Sequence, residues 1–174
     1  MDRLDKFSVC AMIILLISSL ALISNHRGEA KSDQNNREKV SPNNPIVNSV
    51  LGHKVKEIKD LIEAGNLNKA EMFTNLLIKK YPYEGDPRIL MGDIFMRKQE
   101  PIMAALEYKE AVDLNPDYLD KKTPIFQGKK IEVAVKDAIA EIERKIDKNP
   151  EDESMKRYRK NVYYLQRRIA GGCS

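Results

Sequence analysis

The sequence predicts an all-α protein: a short array of helical hairpins with a C-terminal capping helix, preceded by an N-terminal apolar helix. Three observations lead to this fold class. Pro82, Pro116 and Pro150 stand 34 residues apart, each after an apolar-periodic run, which indicates a helical repeat. Apolar residues recur at spacings of three and four, as on one face of a helix. Residues 7–24 carry no charge.

The N-terminus has the layout of a membrane-targeting segment. Residues 9–24 are apolar apart from three serines, and a short basic start with Arg3 and Lys6 precedes them. The uncharged stretch is longer than the roughly 7–15 residues of a cleaved signal core and close to the about 20 that span a bilayer. We therefore expect residues 1–24 to be a signal anchor that remains as a transmembrane helix. A signal peptide cleaved near residues 28–30 is the alternative.

Charge around this segment bears on which side of the membrane the rest of the chain lies. A short basic start normally stays in the cytoplasm, which would place the following domain on the extracytoplasmic side. The larger number of lysines and arginines just after the stretch favours the reverse orientation. We expect the extracytoplasmic location.

Two further regions follow the apolar segment. Residues 25–44 are rich in Asn, Ser, Lys, Glu and Asp and nearly free of apolar side chains, so they are predicted to be a flexible polar linker. Residues 45–174 are predicted to form one helical domain with a short tail. Its last helix, within residues 153–170, carries a single apolar stripe, as the cap of a helical array requires. The stripe is Met155, Tyr158, Val162, Leu165 and Ile169.

The middle unit, residues 86–116, carries the repeat pattern most fully. It places Gly92 and Ala104 where two helices would approach closely, and Phe95 and Tyr108 around that contact. This unit resembles the tetratricopeptide repeat, whose period is also 34 residues. The full set of residues assigned to repeat packing is Gly65, Ala70, Gly92, Phe95, Ala104, Tyr108, Ala111, Pro116 and Ala138.

The third unit departs from the pattern, because Pro124 and Gly128 interrupt its expected first helix. The sequence predicts a short helical piece at residues 117–122, an irregular loop at 123–128 and a long second helix at 129–148. This irregularity has two interpretations: a degenerate repeat at the end of the array, or a loop specialised for contact.

The resemblance to tetratricopeptide repeats implies a groove, lined by the first helices, that holds a peptide or a helix of another protein. The groove positions carried over to this chain are Val55, Lys59, Ile62, Ile89, Asp93, Met96, Arg97 and Lys130. One subclass of the family binds the C-terminal carboxylates of cytosolic chaperones. Its clamp positions are occupied here by Lys59, Leu90, Asp120 and Pro124, so that partner is not expected.

An N-terminal anchor followed by a small repeat domain resembles the layout of bacterial envelope assembly factors. This resemblance implies a non-catalytic scaffold or assembly factor on the periplasmic side of the inner membrane, which binds a protein client and contacts the membrane through its N-terminus. No catalytic motif, metal-ligand spacing or cofactor motif occurs, so no enzyme activity, metal or cofactor is expected. Homo-oligomerisation stays open, and so does the role of Cys173.

The alternative function rests on the basic C-terminal helix, which would bind an anionic membrane surface or nucleic acid. Its cations are Lys156, Arg157, Arg159, Lys160, Arg167 and Arg168. A solvated capping face explains the same residues, and the net charge of +4 is too small to favour nucleic acid. We therefore expect no nucleic-acid partner.

Overall fold

The computed structural model describes residues 45–171, and all regular structure in this range is helical. The α-helices are α1 Pro45–Glu63, α2 Leu67–Lys80, α3 Gly85–Arg97, α4 Pro101–Leu114, α5 Gly128–Lys148 and α6 Glu153–Gly171. A 3-10 helix, Pro116–Leu119, follows α4. No strand occurs among the described residues, so the all-α prediction is confirmed for them. The predicted anchor at 1–24, the linker at 25–44 and Cys173 lie outside the described residues.

The turn between α1 and α2 depends on a glycine. The Gly65 amide donates to the Ile62 carbonyl at 3.1 Å, and the following amide donates to the Leu61 carbonyl at 2.9 Å. This pair of bonds is a Schellman motif, which needs a left-handed residue after the helix end. Gly65 supplies it with φ of 75°. The chain can therefore reverse within residues 64–66.

The turn between α3 and α4 uses the same motif without a glycine. The Gln99 amide donates to the Met96 carbonyl at 3.1 Å, and the Glu100 amide donates to the Phe95 carbonyl at 2.9 Å. Gln99 has φ of 61°, a conformation that is strained for a residue with a side chain. The two turns thus have the same hydrogen bonds, and the second carries backbone strain that the first avoids.

The core is centred on α4, which contacts α3, α5, α6 and the 3-10 helix. Its small residues Ala104, Ala105 and Ala111 are fully buried and let neighbouring backbones approach. Two further alanines on α5, Ala134 and Ala138, are buried in the same cluster. Close packing of α3, α5 and α6 around α4 follows from these small side chains.

The segment after α4 follows the sequence prediction. The short helical piece expected at residues 117–122 is the 3-10 helix Pro116–Leu119, and the long helix expected at 129–148 is α5, Gly128–Lys148. α5 packs against α6, and both helices contact α4. The segment that includes Pro116 and Pro124 is too short and too rich in proline to supply a pairing helix. α5 and α6 thus form the last helical hairpin among the described residues.

Within the described residues, no helix is both long enough and apolar enough to cross a bilayer.

Candidate functional site

The predicted groove residues fall into three groups by exposure. Three are buried: Val55, Ile62 and Ile89. Lys59 and Arg97 are exposed, and Asp93, Met96 and Lys130 are half-buried. A partner could reach only the last two groups, so the apolar floor expected from the sequence is mostly enclosed within the fold. Met96 is the accessible apolar residue of the set.

Asp93 and Lys130 are joined to each other. The Lys130 Nζ lies 2.8 Å from both carboxylate oxygens of Asp93. Tyr108 donates its hydroxyl hydrogen to Asp93 Oδ1 at 2.6 Å, and Lys130 Nζ lies 5.7 Å from the centroid of the tyrosine ring. These contacts connect α3, α4 and α5. The two opposite charges therefore neutralise each other within the protein and are not free to select a ligand.

A second tyrosine repeats this arrangement two helical turns earlier on α3. Tyr118, in the 3-10 helix, donates its hydroxyl hydrogen to Asp86 Oδ1 at 2.6 Å. A Cβ at Gly85, the residue before this aspartate, would lie 2.5 Å from Cε2 of the Tyr118 ring. Gly92 precedes Asp93 in the same way, and a Cβ there would meet the Tyr108 ring. In each Gly-Asp pair of α3, the glycine thus leaves room for a tyrosine ring and the aspartate accepts the hydrogen bond of its hydroxyl.

Both phenol groups are held in their protonated form. Burial raises the pKa of Tyr108 well above its usual value, and the negative charge of Asp93 and the hydrogen bond to it add to the effect. Burial and the hydrogen bond to Asp86 raise the pKa of Tyr118 in the same direction. Both hydroxyl groups therefore stay protonated near neutral pH and remain hydrogen-bond donors to their aspartates.

An open cleft of about 420 Å³ lies between the C-terminal end of α3 and α5. We name it the α3–α5 cleft, and its lining residues are Met96, Gln99, Pro101, Asp137, Ala140, Glu141 and Arg144. Glu141 forms an ion pair with Lys145 at 2.7 Å. Asp137 and Arg144 have no ion-pair partner among the described residues. The cleft therefore offers apolar surface beside one free charge of each sign.

A smaller cleft of about 280 Å³ adjoins the same turn. It is lined by Gln99, Glu100, Ile102, Met103, Glu141, Lys145, Met155 and Tyr158. Gln99 and Glu141 line both clefts, so the strained turn lies between two open surfaces. A non-glycine residue at positive φ beside a cleft is the kind of strain that functional sites carry.

The sequence did not single out Asp137, Ala140 or Arg144. They stand 7, 10 and 14 residues after Lys130, which are spacings that keep them on one face of a helix. Extending the groove face along α5 from Lys130 would have found them. They were not named because the resemblance carried only Lys130 of this helix over to the groove.

Most residues assigned to repeat packing are enclosed. Those that are buried are Ala70, Gly92, Ala104, Tyr108, Ala111 and Ala138, and Phe95 is half-buried. Gly65 and Pro116 are exposed, Gly65 in the α1–α2 turn and Pro116 at the start of the 3-10 helix. Tyr118 and Gly85 share the packing role of Tyr108 and Gly92, although the repeat pattern does not include them.

The basic residues of α6 divide into paired and unpaired ones. Lys156 pairs with Glu153 at 2.8 Å, Arg159 approaches Glu143 at 3.7 Å, and Arg168 approaches Asp113 at 3.4 Å. The last two contacts attach α6 to α5 and α4. Arg157, Lys160 and Arg167 are exposed and have no acidic partner among the described residues. Half of the basic set therefore has a structural role.

The described residues hold no cluster of three His, Cys, Asp or Glu side chains that could bind one metal ion. Every buried side-chain nitrogen or oxygen in that part of the chain has a hydrogen-bond partner. Comparison with known protein families, with curated proteins and with solved structures gave no match to this chain. The functional conclusion therefore rests on the geometry of the clefts and surfaces.

Proposed function

We propose that this chain is a non-catalytic protein-binding scaffold of the tetratricopeptide type, and that the α3–α5 cleft holds a segment of a client protein. The cleft carries the proposal, because it combines the accessible apolar surface of Met96 and Ala140 with the free charges of Asp137 and Arg144. A peptide or helix with apolar anchors and charges of both signs would complement it. The paired-helix order and the 34-residue spacing support the family assignment.

The proposed setting follows from the sequence of the N-terminus. We propose that residues 1–24 anchor the chain in a membrane and that the helical domain acts on the extracytoplasmic side. The client is then a protein or complex of the cell envelope. A reporter enzyme fused after Ser174 should be active outside the cytoplasm, and activity inside would reverse the proposed orientation.

Crosslinking in the native membrane tests client binding at the cleft. A photoreactive amino acid at Met96 should give a protein adduct that mass spectrometry identifies. The same amino acid at Gln166, an exposed position of α6, is the control. Absence of a protein adduct at Met96, or the same adduct at both positions, would count against the proposal.

A blocking substitution gives an independent test. Ala140→Trp places a large side chain in the α3–α5 cleft and should weaken client binding by about tenfold or more, which corresponds to about 1.4 kcal/mol. Ala170→Trp is the matched control, because Ala170 is also an exposed helical alanine but lies outside the cleft. Equal binding by the two variants would rule out the cleft as the client site.

The second candidate function, binding of an anionic membrane surface or nucleic acid through α6, is favoured by its three unpaired cations. Replacement of Arg157, Lys160 and Arg167 with Gln removes this charge and leaves the ion pairs of Arg159 and Arg168 intact. Loss of vesicle or nucleic-acid binding, with a shallower salt dependence, would support this function. Unchanged client binding in the same variant would separate it from the cleft.

A further inference from the structure

The side of α2 that faces away from the core is apolar and exposed. Its inward side is formed by Ala70, Thr74 and Leu77, all buried. On the outward side, Met72 is 54% exposed and Leu76 is 57% exposed. Single exposed apolar residues scattered over a surface are normal and need no explanation. Exposed apolar residues that adjoin one another on one helix face instead indicate an interaction surface.

Lysines surround these apolar residues. We name the surface the α2 outer face, and it comprises Lys69, Met72, Phe73, Leu76, Lys79 and Lys80. The Lys69 Nζ lies 5.5 Å from the centroid of the Phe73 ring, so its stem follows the apolar surface. The one acidic residue of the helix, Glu71, points elsewhere and forms an ion pair with Lys98, the residue after α3. The face is therefore apolar and cationic, without a compensating acid of its own.

Two features lie near the α2 outer face. Tyr83, three residues after the end of α2, is 86% exposed. Towards α1 a shallow cleft of about 220 Å³ is lined by Ile58, Phe73, Leu76 and Leu77, with Lys54, Glu57 and Lys80 beside them. Even including this cleft, lysines outnumber acids around the apolar residues.

We propose that the α2 outer face docks on an anionic membrane surface, with Met72, Phe73 and Leu76 inserted at the headgroup boundary and the lysine ammonium groups among the lipid phosphates. Apolar residues on one face, flanked by lysines that can extend past them, are the pattern of a helix lying in a membrane interface. The inference concerns a different surface from the α3–α5 cleft and does not depend on client binding there.

Two other occupants fit the surface less well. A second copy of the chain, related by a two-fold axis, would bring Lys69, Lys79 and Lys80 against the same lysines, which is unfavourable. A protein helix with acidic flanks would satisfy the charge, but Met72 and Leu76 protrude more than half exposed and the adjacent cleft is too small to enclose a helix. A lipid surface accepts protruding side chains without a matching groove.

The charge contribution sets the size of the expected effect. A lysine near an anionic membrane surface strengthens binding about fivefold. Removal of the three lysines of the face by substitution with Gln should therefore weaken docking on the order of a hundredfold. High salt should weaken it as well, because the attraction is screened.

The absence of tryptophan from the chain allows a direct measurement. Leu76→Trp introduces a single fluorescent reporter on the α2 outer face, and Val133→Trp introduces one on α5, where Val133 is 54% exposed. The full-length variants are reconstituted into phosphatidylcholine vesicles with or without phosphatidylglycerol, and the lipid chains are brominated to quench tryptophan. Met72→Trp repeats the test if the first variant folds poorly, as judged by circular dichroism.

The proposal predicts quenching and a blue shift at position 76 in anionic vesicles, with little effect in neutral vesicles. It also predicts no quenching at position 133, and loss of quenching at position 76 when Lys69, Lys79 and Lys80 are replaced with Gln. Equal quenching in neutral vesicles, or at both positions, would overturn the proposal. A blue shift without lipid that grows with protein concentration would indicate self-association instead. A protein crosslinked at position 76, without lipid quenching, would indicate a protein partner.

Discussion

Tyr108 occupies the space that a side chain at residue 92 would need. A Cβ built on Gly92 would lie 2.3 Å from Cε1 and 2.5 Å from Cδ1 of the tyrosine ring. The ring cannot move away without losing the 2.6 Å hydrogen bond from its hydroxyl to Asp93. The contact between α3 and α4 therefore depends on the absence of a side chain at Gly92 of α3 and on the large ring of Tyr108 of α4.

Gly92→Ala should destabilise the domain by about 1–3 kcal/mol, because the added methyl group overpacks the contact with Tyr108. Urea unfolding followed by circular dichroism measures the change. Gly52→Ala is the matched control, since Gly52 is an exposed glycine of α1 and a Cβ added there would meet no atom within 4 Å. That substitution should stabilise the domain by roughly 0.5–1 kcal/mol. Equal effects at both sites would refute the close-packing interpretation.

Tyr108→Phe and Tyr118→Phe each remove a hydrogen bond to a carboxylate while leaving the ring in place. Each substitution should lower the free energy of unfolding by about 1.5–3 kcal/mol, the usual range for hydrogen bonds to charged groups. Tyr83→Phe serves as the control, because Tyr83 is largely exposed and should change stability little. Thermal or urea unfolding of the three variants and the unmodified protein measures these changes in the free energy of unfolding.

The two buried phenols also predict a loss of stability at high pH. Their pKa values are raised in the folded state above the ordinary tyrosine value of 10.0. The unfolded chain therefore releases these protons first as the pH rises, and stability that is fully present below about pH 10 falls above it. The slope should approach about 1.4 kcal/mol per pH unit for each phenol. In the double variant Tyr108→Phe with Tyr118→Phe the decline should be shallower; an unchanged decline would assign it to other groups.

Gln99→Gly should stabilise the domain by roughly 0.5–1 kcal/mol. The substitution removes the strain of a left-handed residue with a side chain. Glycine also raises the conformational entropy of the unfolded chain, which offsets part of this stabilisation. Gly65→Ala, at the equivalent place in the α1–α2 turn, should have the opposite sign. If Gln99 contacts the client, the stabilised Gln99→Gly variant should bind it more weakly. Crosslinking yield at Met96 reports this second effect.

The helical nature of the domain could be predicted because it depends on local patterns. Apolar spacing and the proline interval determine where helices lie, and the described residues are all helical or irregular. Pairing is a property of tertiary contacts, so the packing of α5 against α6 does not follow from the local pattern. The proline interval continues to Pro150, which lies between α5 and α6 and so marks the inside of a hairpin rather than its end.

The site could be predicted only in part, since sequence position indicates a helix face but not the partner of each charge. Asp93 and Lys130 stand 37 residues apart in sequence, and nothing local shows that they neutralise each other. The left-handed conformation of Gln99 was equally hidden, because glycine or asparagine is the usual signal for it. Met96 was identified because its position follows directly from the repeat register.

The two Gly-Asp pairs of α3 stand seven residues apart, two turns along one side of the helix, and each receives a tyrosine from a later segment. A rotation of α3 about its axis would disturb both phenol hydrogen bonds and both ring contacts together. The orientation of α3, one wall of the α3–α5 cleft, is thus fixed before anything binds. Under the proposed function, a client would have to match this wall as it stands, and adaptation on binding would come from α5, the turn at Gln99 or the client itself.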